Sequence, residues 1–150
     1  MQSETKCGSG ENNWRYAESQ FDLMKTYFDN GVSYYMLWNM VLDQTGRSTN
    51  NWRQCSPVVI NKVTRSITYT PQYYLFKHFS YYIKPGANKV FTDGNYDENV
   101  AFTNADGETV LELQNKSDKD LAVSIVFNGK MIKPTLPPHS FNTFITSASN

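Results

Sequence analysis

The sequence has little of several features that often define a protein class. Only two of its 150 residues are cysteine and two are histidine, and basic and acidic side chains are equal in number at 14 each. Two cysteines are too few to hold a small fold together, and zinc ligands come in closely spaced cysteine or histidine pairs that this sequence lacks. The sequence therefore predicts no metal site, no cofactor and no disulfide-dependent fold.

Long apolar runs and charge of one sign are also missing. No stretch of 18 apolar residues occurs, and the first residues lack the apolar segment of a signal peptide. Without a basic stripe, nucleic acids and anionic membranes are poor candidates for partners. The chain is therefore expected to be soluble, although its location stays open because an export signal could precede Met1 in a longer protein.

Aromatic side chains, by contrast, are abundant. The 10 Tyr, 9 Phe and 3 Trp make up 15% of the chain, more than a small core needs. Such side chains suit surfaces that stack on planar or ring-shaped ligands, and sugars are one such ligand class.

The first half of the sequence predicts helices combined with strands. Apolar residues recur at helical spacing over Asn13–Phe28, which predicts a helix with one polar, exposed face. Val32–Trp38 is β-branched and aromatic without alternation, as in a strand buried on both faces. Residues 39–57 are predicted to form a long irregular loop of the kind that often carries function. A hairpin of 58–60 with 66–69 and a helix from Pro71 to about Ile83 are predicted to follow.

After Pro85-Gly86 the pattern changes to short strands separated by turn residues. This pattern predicts antiparallel β-structure, with hairpin turns at Asp93-Gly94, Asp106-Gly107 and Asn128-Gly129. A domain boundary is therefore predicted near residue 85. The predicted strands are 89–92, 99–104, 109–114, 121–127, 130–136 and 141–146.

An ordered set of motifs resembles glycoside hydrolase family 30, whose members include glucosylceramidases and β-1,6-glucanases. The resemblance covers nearly the whole chain. Its motifs are Met1–Gly8 with Ser3-Glu4, Gly10–Trp14, Gly31–Asp43, Tyr73–Ser80 and Ile83–Ala87.

The resemblance implies a fold class of α/β plus all-β. Residues 1–84 would be the C-terminal βα units of a (β/α)8 TIM barrel, from the end of strand 7 to helix 8. Residues 85–150 would be an antiparallel β-sandwich domain. Family members are commonly secreted, periplasmic or lysosomal, and the resemblance implies such a location here.

The resemblance also assigns candidate catalytic residues. Glu4 matches the nucleophile of a retaining β-glycosidase, in which a carboxylate attacks the anomeric carbon. The acid/base glutamate of the family lies far upstream, so no residue of this chain inherits that role, and the isolated chain is expected to be inactive. Glu11, Glu18 and Asp43 lie near Glu4 only in sequence and are not assigned, since solvated or capping roles fit the first two better.

Substrate-binding candidates follow from the same resemblance. Trp38 would stack on a pyranose ring, Asn39 would hydrogen-bond a sugar hydroxyl, and Trp52 in the long loop is a candidate for an outer subsite. Cys7 and Cys55 would lie in loops at the same end of the barrel, so a disulfide between them is a hypothesis.

Two alternatives to a hydrolase remain open. The chain could be a non-catalytic carbohydrate-binding β-sandwich module that uses Trp38 and Trp52, or a truncated product without a function of its own. As part of a hydrolase, its partner would be a β-glucoside, a glucan or glucosylceramide, and it would need the N-terminal remainder of the barrel. The sequence does not determine the linkage, the aglycone or the oligomeric state.

Overall fold

The computed structural model describes residues 8–127 and 129–146, which contain two helices and eleven strands. The chain divides into two compact units between Lys77 and His78, here called the N-terminal unit and the sandwich unit. The division lies inside the second helix, upstream of the predicted boundary near residue 85, which stays a prediction. Within the described ranges, neither helix is long and apolar enough to cross a bilayer.

The first helix, α1, spans Trp14–Asp29 and confirms the prediction from periodicity. Asn13 caps its N-terminus, because the Asn13 side chain accepts a hydrogen bond from the backbone N–H of Tyr16 at 2.9 Å. The helix ends at Asn30 and Gly31, where the Gly31 N–H donates to the Phe28 carbonyl at 3.1 Å. The buried apolar side chains of α1 are Ala17, Phe21 and Met24.

Segment 32–38, predicted as a strand buried on both faces, differs in the structure. Within it only Tyr35 has a bridge-type backbone pairing, and the described residues form no continuous strand there. Tyr34 is 68% exposed and Met36 is 51% exposed. A strand covered on both faces needs neighbouring elements on each side, and burial of these two side chains was therefore wrongly predicted.

Residues 39–57, predicted as an irregular loop, contain a short strand. This strand, β1, spans Val41–Asp43 and pairs in parallel with β2, Val58–Ile60. Three residues are too few for a period-2 pattern to be recognised, so the loop prediction is wrong at β1. The remainder contains turns and an isolated bridge between Arg47 and Arg53.

The predicted hairpin and second helix are both confirmed. Strand β3, Ile67–Tyr69, pairs antiparallel with β2. Helix α2, Pro71–Tyr82, begins at the proline, whose fixed φ suits the first turn and whose missing N–H would have no partner there. Leu75 is fully buried on this helix.

The polar face of α1 is less exposed than predicted. Glu18 is 6% exposed and Gln20 is 3% exposed. The Gln20 amide donates to the Tyr35 hydroxyl at 2.9 Å and accepts from the Gln72 amide of α2. Gln20 is buried because segment 32–38 and α2 pack against this side of α1. Its side-chain nitrogen and oxygen are hydrogen-bonded to Tyr35 and Gln72, as buried polar atoms generally are.

The sandwich unit consists of short strands whose pairing is antiparallel throughout the described residues, as predicted. The strands are β4 Asn88–Val90, β5 Asn99–Thr103, β6 Thr109–Asn115, β7 Leu121–Ala122, β8 Ile125–Phe127, β9 Lys130–Ile132, β10 Thr135–Leu136 and β11 Ser140–Thr146. Four of them form one sheet in the order β11-β6-β5-β4, while β7 pairs with β10 and β8 with β9.

The two predicted runs 121–127 and 130–136 are each divided into two strands. Phe127 pairs with Lys130, which confirms the two-residue connection predicted between them. The predicted alternation also holds, since Ala122, Ser124 and Val126 are exposed while the residues between them are partly or fully buried.

The core of the sandwich lies between the four-stranded sheet and the paired strands. This core is aliphatic, and full burial of a leucine or isoleucine side chain contributes roughly 1.5–3 kcal/mol of transfer free energy. The cluster comprises Ala101, Leu111, Leu113, Ile125 and Leu136. It joins β5 and β6 of the large sheet to β8 and β10, which is the two-layer arrangement of a β-sandwich.

Asparagine side chains form hydrogen bonds with backbone groups at the ends of α2 and of strands in this unit. Asn104 is buried; its amide nitrogen donates to the Tyr82 carbonyl and its oxygen accepts from the Lys84 N–H, both at 2.9 Å. The last turn of α2 is thereby bonded to the turn between β5 and β6.

Asn115, at the end of β6, forms a denser set of bonds. Its Nδ2 lies within 3.0 Å of the carbonyl oxygens of Lys119, Leu136 and Pro137. Its Oδ1 accepts from the backbone and hydroxyl of Ser117 at 3.0 and 2.7 Å. The Asn115-Lys116-Ser117 sequence has the form of a glycosylation acceptor, but this buried amide is occupied by the fold.

We therefore expect Asn115→Ala to destabilise the sandwich strongly. Loss of the amide leaves buried carbonyls without a donor, and we expect a cost of about 3 kcal/mol. Urea unfolding at constant m-value measures it. Asn95→Ala, at an exposed asparagine, is the control, with an expected change within about 0.5 kcal/mol; equal losses would contradict the assignment.

Candidate functional site

The predicted site residues belong to the N-terminal unit. Two of them, Glu4 and Cys7, lie outside the described residues. The structure places the others on segment 32–38 and the loop that follows, and it shows what holds each of them.

Tyr35 anchors the segment that leads to Trp38. Its ring centroid lies 6.0 Å from that of Tyr27 on α1 and 5.9 Å from that of Phe76 on α2. Its hydroxyl accepts the hydrogen bond from Gln20. The segment is therefore fixed against both helices before the chain reaches Trp38, which is half-buried.

Asn39 follows Trp38 through a cis peptide bond and is held by the loop. Its Nδ2 donates to Oε1 of the buried Gln54 at 2.5 Å. Among the described residues, Asn39 Oδ1 accepts no hydrogen bond. Asn39 thus has a fixed orientation and a carbonyl oxygen that can accept from a ligand hydroxyl.

The loop itself is folded back as a small hairpin. The Gln54 N–H donates to the Gly46 carbonyl at 2.8 Å, and the Ser48 N–H donates to the Trp52 carbonyl at 2.9 Å. Trp52 lies near the tip and is 63% exposed. Gln54 is consequently rigid enough to hold Asn39, whereas the Trp52 ring is available to a ligand.

A second segment, residues 8–13, packs against this loop. The Ser56 N–H donates to the Asn12 side chain at 2.9 Å. The Cys55 thiol lies 3.6 Å from the Glu11 carboxylate. A Cβ on Gly8, whose φ is +64°, would approach Cys55 Sγ to 2.6 Å. The residues that directly follow Cys7 in sequence therefore contact the loop that holds Asn39.

Two nearby acids are unsuited to donate a proton. Hydrogen bonds from Ser9, first from its hydroxyl, lower the pKa of Glu11 to about 2. Hydrogen bonds from Lys62 and then Thr45 lower the pKa of Asp43 to about 2. A general acid must be protonated at the working pH, so neither residue fits that role. This agrees with leaving both unassigned.

Glu18 and Cys55 are buried. The solvated role expected for Glu18 is therefore wrong, since it is 6% exposed. Cys55 is a buried free cysteine. The proposed disulfide names Cys7, outside the described residues, and stays a hypothesis. The described residues also contain no group of three His, Cys, Asp or Glu that could hold a metal ion.

Sequence reasoning missed the residues that hold the site together. Gln54 and Asn12 are ordinary polar residues in loops, and their partners lie 15 and 44 positions away. No local pattern marks such pairs, because the loop closure that brings them together is a tertiary event.

Comparison with known proteins identifies the family. The profile described as "Glycosyl hydrolase family 30 beta sandwich domain" matches residues 86–144. "Putative glucosylceramidase 3" of Caenorhabditis elegans is 30% identical over 140 residues, 88% of this chain. Residues 86–144 form the β-sandwich domain of glycoside hydrolase family 30. The resemblance inferred from the sequence motifs is thereby confirmed.

The chain is much shorter than its relatives. It spans 26% of the length of that glucosylceramidase-named protein and 28% of "Putative glucosylceramidase 4" of Caenorhabditis elegans, which is 30% identical over 149 residues, 93% of this chain.

Solved structures share the fold. SrfJ from Salmonella typhimurium superposes with a TM-score of 0.85 at 23% identity and covers 98% of this chain and 34% of its own. The endo-β1,6-glucanase BT3312 gives a TM-score of 0.83 at 22% identity, covering 97% of this chain and 35% of its own. These likenesses confirm the predicted fold class, α/β elements followed by an antiparallel β-sandwich.

The contact of segment 8–13 with the loop can be tested at Gly8. An added Cβ would also approach the Tyr16 ring to 2.7 Å. Gly31, with φ +79° and nothing within 4 Å of an added Cβ, is the matched control. We expect Gly8→Ala to cost about 1–3 kcal/mol more in urea unfolding than Gly31→Ala, because only the first adds overpacking to the backbone cost. Equal losses would refute the close contact.

Proposed function

We propose that this chain is the C-terminal part of a retaining β-glycoside hydrolase that acts on β-glucosides. Residues 1–84 contribute the last βα units of its (β/α)8 barrel, and the β-sandwich follows. The observation that carries the proposal is the contact between the loop holding Asn39 and segment 8–13, which begins four residues after Glu4. Family membership supports it.

Glu4 is the proposed nucleophile. Its carboxylate attacks the anomeric carbon while the bond from that carbon to the glycosidic oxygen breaks, giving a glycosyl-enzyme ester. The departing oxygen takes a proton from a second carboxyl, which then removes a proton from the water that hydrolyses the ester. Active sites of this barrel lie at the C-terminal ends of strands, where the resemblance puts Glu4.

Trp38 and Asn39 are the proposed sugar contacts. A tryptophan face packs on the C–H face of a pyranose, and Asn39 Oδ1 accepts from a hydroxyl while Gln54 holds the amide. The exposed Trp52 is the proposed outer subsite, where aromatic stacking contributes to affinity without touching the reacting bond.

The acid/base carboxyl is proposed to lie outside this chain. Glu11 and Asp43 have lowered pKa values, and the family resemblance puts the acid upstream. The isolated chain should therefore not hydrolyse glycosides, and catalysis requires the N-terminal remainder of the barrel.

The substrate class is proposed at the level of the β-glucoside. The Caenorhabditis elegans relatives are named glucosylceramidases and one structural neighbour is an endo-β1,6-glucanase. Both names refer to glucosyl units, and a direct comparison of glucosylceramide with a β-1,6-glucan as substrates distinguishes the two substrate types.

Replacing Glu4 in the intact polypeptide tests the nucleophile. We expect Glu4→Gln to lower kcat for an aryl β-glucoside at least about 1,000-fold, because the amide cannot form the glycosyl ester. A 2-deoxy-2-fluoro glucoside should label Glu4 covalently in the wild type, as read by peptide mass spectrometry.

Glu11→Gln is the matched control, since Glu11 is an exposed acid bonded to Ser9. It should retain nearly full activity. Labelling of another residue, or hydrolysis by the isolated 150-residue chain that Glu4→Gln abolishes, would contradict the proposal.

A second candidate is a carbohydrate-binding module, and the exposure of Trp52 favours testing it. This function predicts saturable glucan binding by the isolated chain that survives Glu4→Gln and is lost in Trp38→Ala or Trp52→Ala. Calorimetric titration with a soluble β-glucan measures it, with Trp14→Ala on α1 as the control. The hydrolase proposal instead predicts weak binding, because most of the sugar site lies outside this chain.

A further inference from the structure

A buried carboxyl lies in the middle of the large sheet of the sandwich unit. Glu112 on β6 is 1% exposed. It is flanked by Val100 on β5 and Thr143 on β11, which are its partners in register. Isolated charge is expensive to bury, so this residue requires an explanation that the glycosidase chemistry does not provide.

A short hydrogen-bonded chain connects Glu112 to α2. The Thr143 hydroxyl donates to Glu112 Oε2 at 2.7 Å. His78 Nδ1 lies 2.7 Å from the same hydroxyl and 3.7 Å from Oε2. Because Thr143 has one hydroxyl proton, which it gives to Glu112, it accepts from the Nδ1–H of His78. Within residues 8–127 and 129–146, Glu112 Oε1 has no hydrogen-bond partner.

His78 is the one ionisable side chain among the described residues that comes within ion-pair distance of Glu112. The partners of Glu112 on the two flanking strands are Val100 and Thr143, and neither side chain carries a charge. Lys89 lies on β4, which pairs with β5 and not with β6, and its partner in register is Phe102. Among the described residues, the carboxyl therefore has one hydroxyl donor, and the one group that could compensate a negative charge is His78, which lies 3.7 Å from Oε2.

We propose that Glu112, Thr143 and His78 form a proton-linked lock in which the sandwich folds with Glu112 neutral and is weakened when this carboxyl ionises. The lock depends on the depth of Glu112 in the sheet and on its unpartnered oxygen. Its contribution to the stability of the sandwich unit is therefore greatest at acidic pH.

The direction of the pH dependence follows from linkage. Burial raises the pKa of Glu112 to about 8, against a partial opposing effect of the Thr143 hydrogen bond. An unfolded glutamate has a pKa near 4.5, so below that value both states bind the proton and the stabilisation is complete. Between the two values only the folded state keeps the proton, and stability falls as the pH rises until about 8.

This role is separate from glycoside cleavage. Glu112 is too buried to reach a substrate. In a catalytic triad the imidazole lies between the hydroxyl and the carboxylate. Here the Thr143 hydroxyl lies between the other two groups, so the arrangement is not a triad. The lock would stand even if Glu4 were shown not to be the nucleophile.

Unfolding of the full 150-residue chain in urea at pH 5 to 9 provides the test. In this interval we expect the wild-type ratio of folded to unfolded protein to fall by up to tenfold per pH unit. Glu112→Gln keeps an acceptor for Thr143, and we expect it to lose most of this dependence and to exceed wild type in stability at pH 9. Asp120→Asn, at an exposed acid, should keep the wild-type slope.

His78→Gln separates a neutral carboxyl from an ion pair, because both would weaken with rising pH. A neutral Glu112 predicts that the slope persists in His78→Gln and that the Glu112 carboxyl carbon titrates near pH 8 in NMR spectra of the wild type. If His78→Gln abolishes the slope, if the carboxyl titrates below pH 5, or if Glu112→Gln keeps the wild-type slope, the proposal is overturned.

Discussion

Buried backbone N–H and C=O groups at the ends of strands and helices must find a hydrogen-bond partner. In both units, side chains of asparagine meet this requirement. In the N-terminal unit, Asn12 accepts from the backbone of Ser56 and so joins segment 8–13 to the loop after β1. In the sandwich, Asn104 bonds the last turn of α2 and Asn115 bonds three carbonyls beyond β6. These hydrogen bonds hold the loops in place, and the orientation of Asn39 depends on one of these loops.

The same chain treats its carboxyl groups in two opposite ways. Glu11 is exposed and Asp43 is partly exposed, and both accept hydrogen bonds from side-chain and backbone donors, which lower their pKa values and keep them ionised. Glu112 is buried with one hydroxyl donor, and its pKa is raised. Solvent access and the number of donors decide between these outcomes. The proposed nucleophile needs an ionised carboxylate, whereas the proposed lock needs a neutral carboxyl. The two proposals therefore require opposite local environments.

In the proposed function, this chain holds only part of the sugar site. The chain spans about a quarter of the length of its Caenorhabditis elegans relatives, and a retaining mechanism needs two carboxyls on opposite sides of the scissile bond. What this chain holds is an aromatic residue, an oriented amide and the segment that follows the proposed nucleophile. Gln54, which has no catalytic chemistry of its own, fixes the side-chain amide of Asn39, the proposed ligand contact.

The amino-acid sequence by itself determined α1, α2, the β2–β3 hairpin and the antiparallel strands after residue 85, because helical spacing, a leading proline and turn dipeptides act locally. Its motifs also identified the family. Tertiary structure alone decided that Tyr34 and Met36 are exposed, that β1 pairs with β2, and that Glu18, Gln20 and Glu112 are buried. Burial and pairing between short segments depend on what packs against them from distant parts of the chain, and no local pattern records that. The partners of Asn39 and Glu112 are such distant contacts, which is why both were found only in the fold.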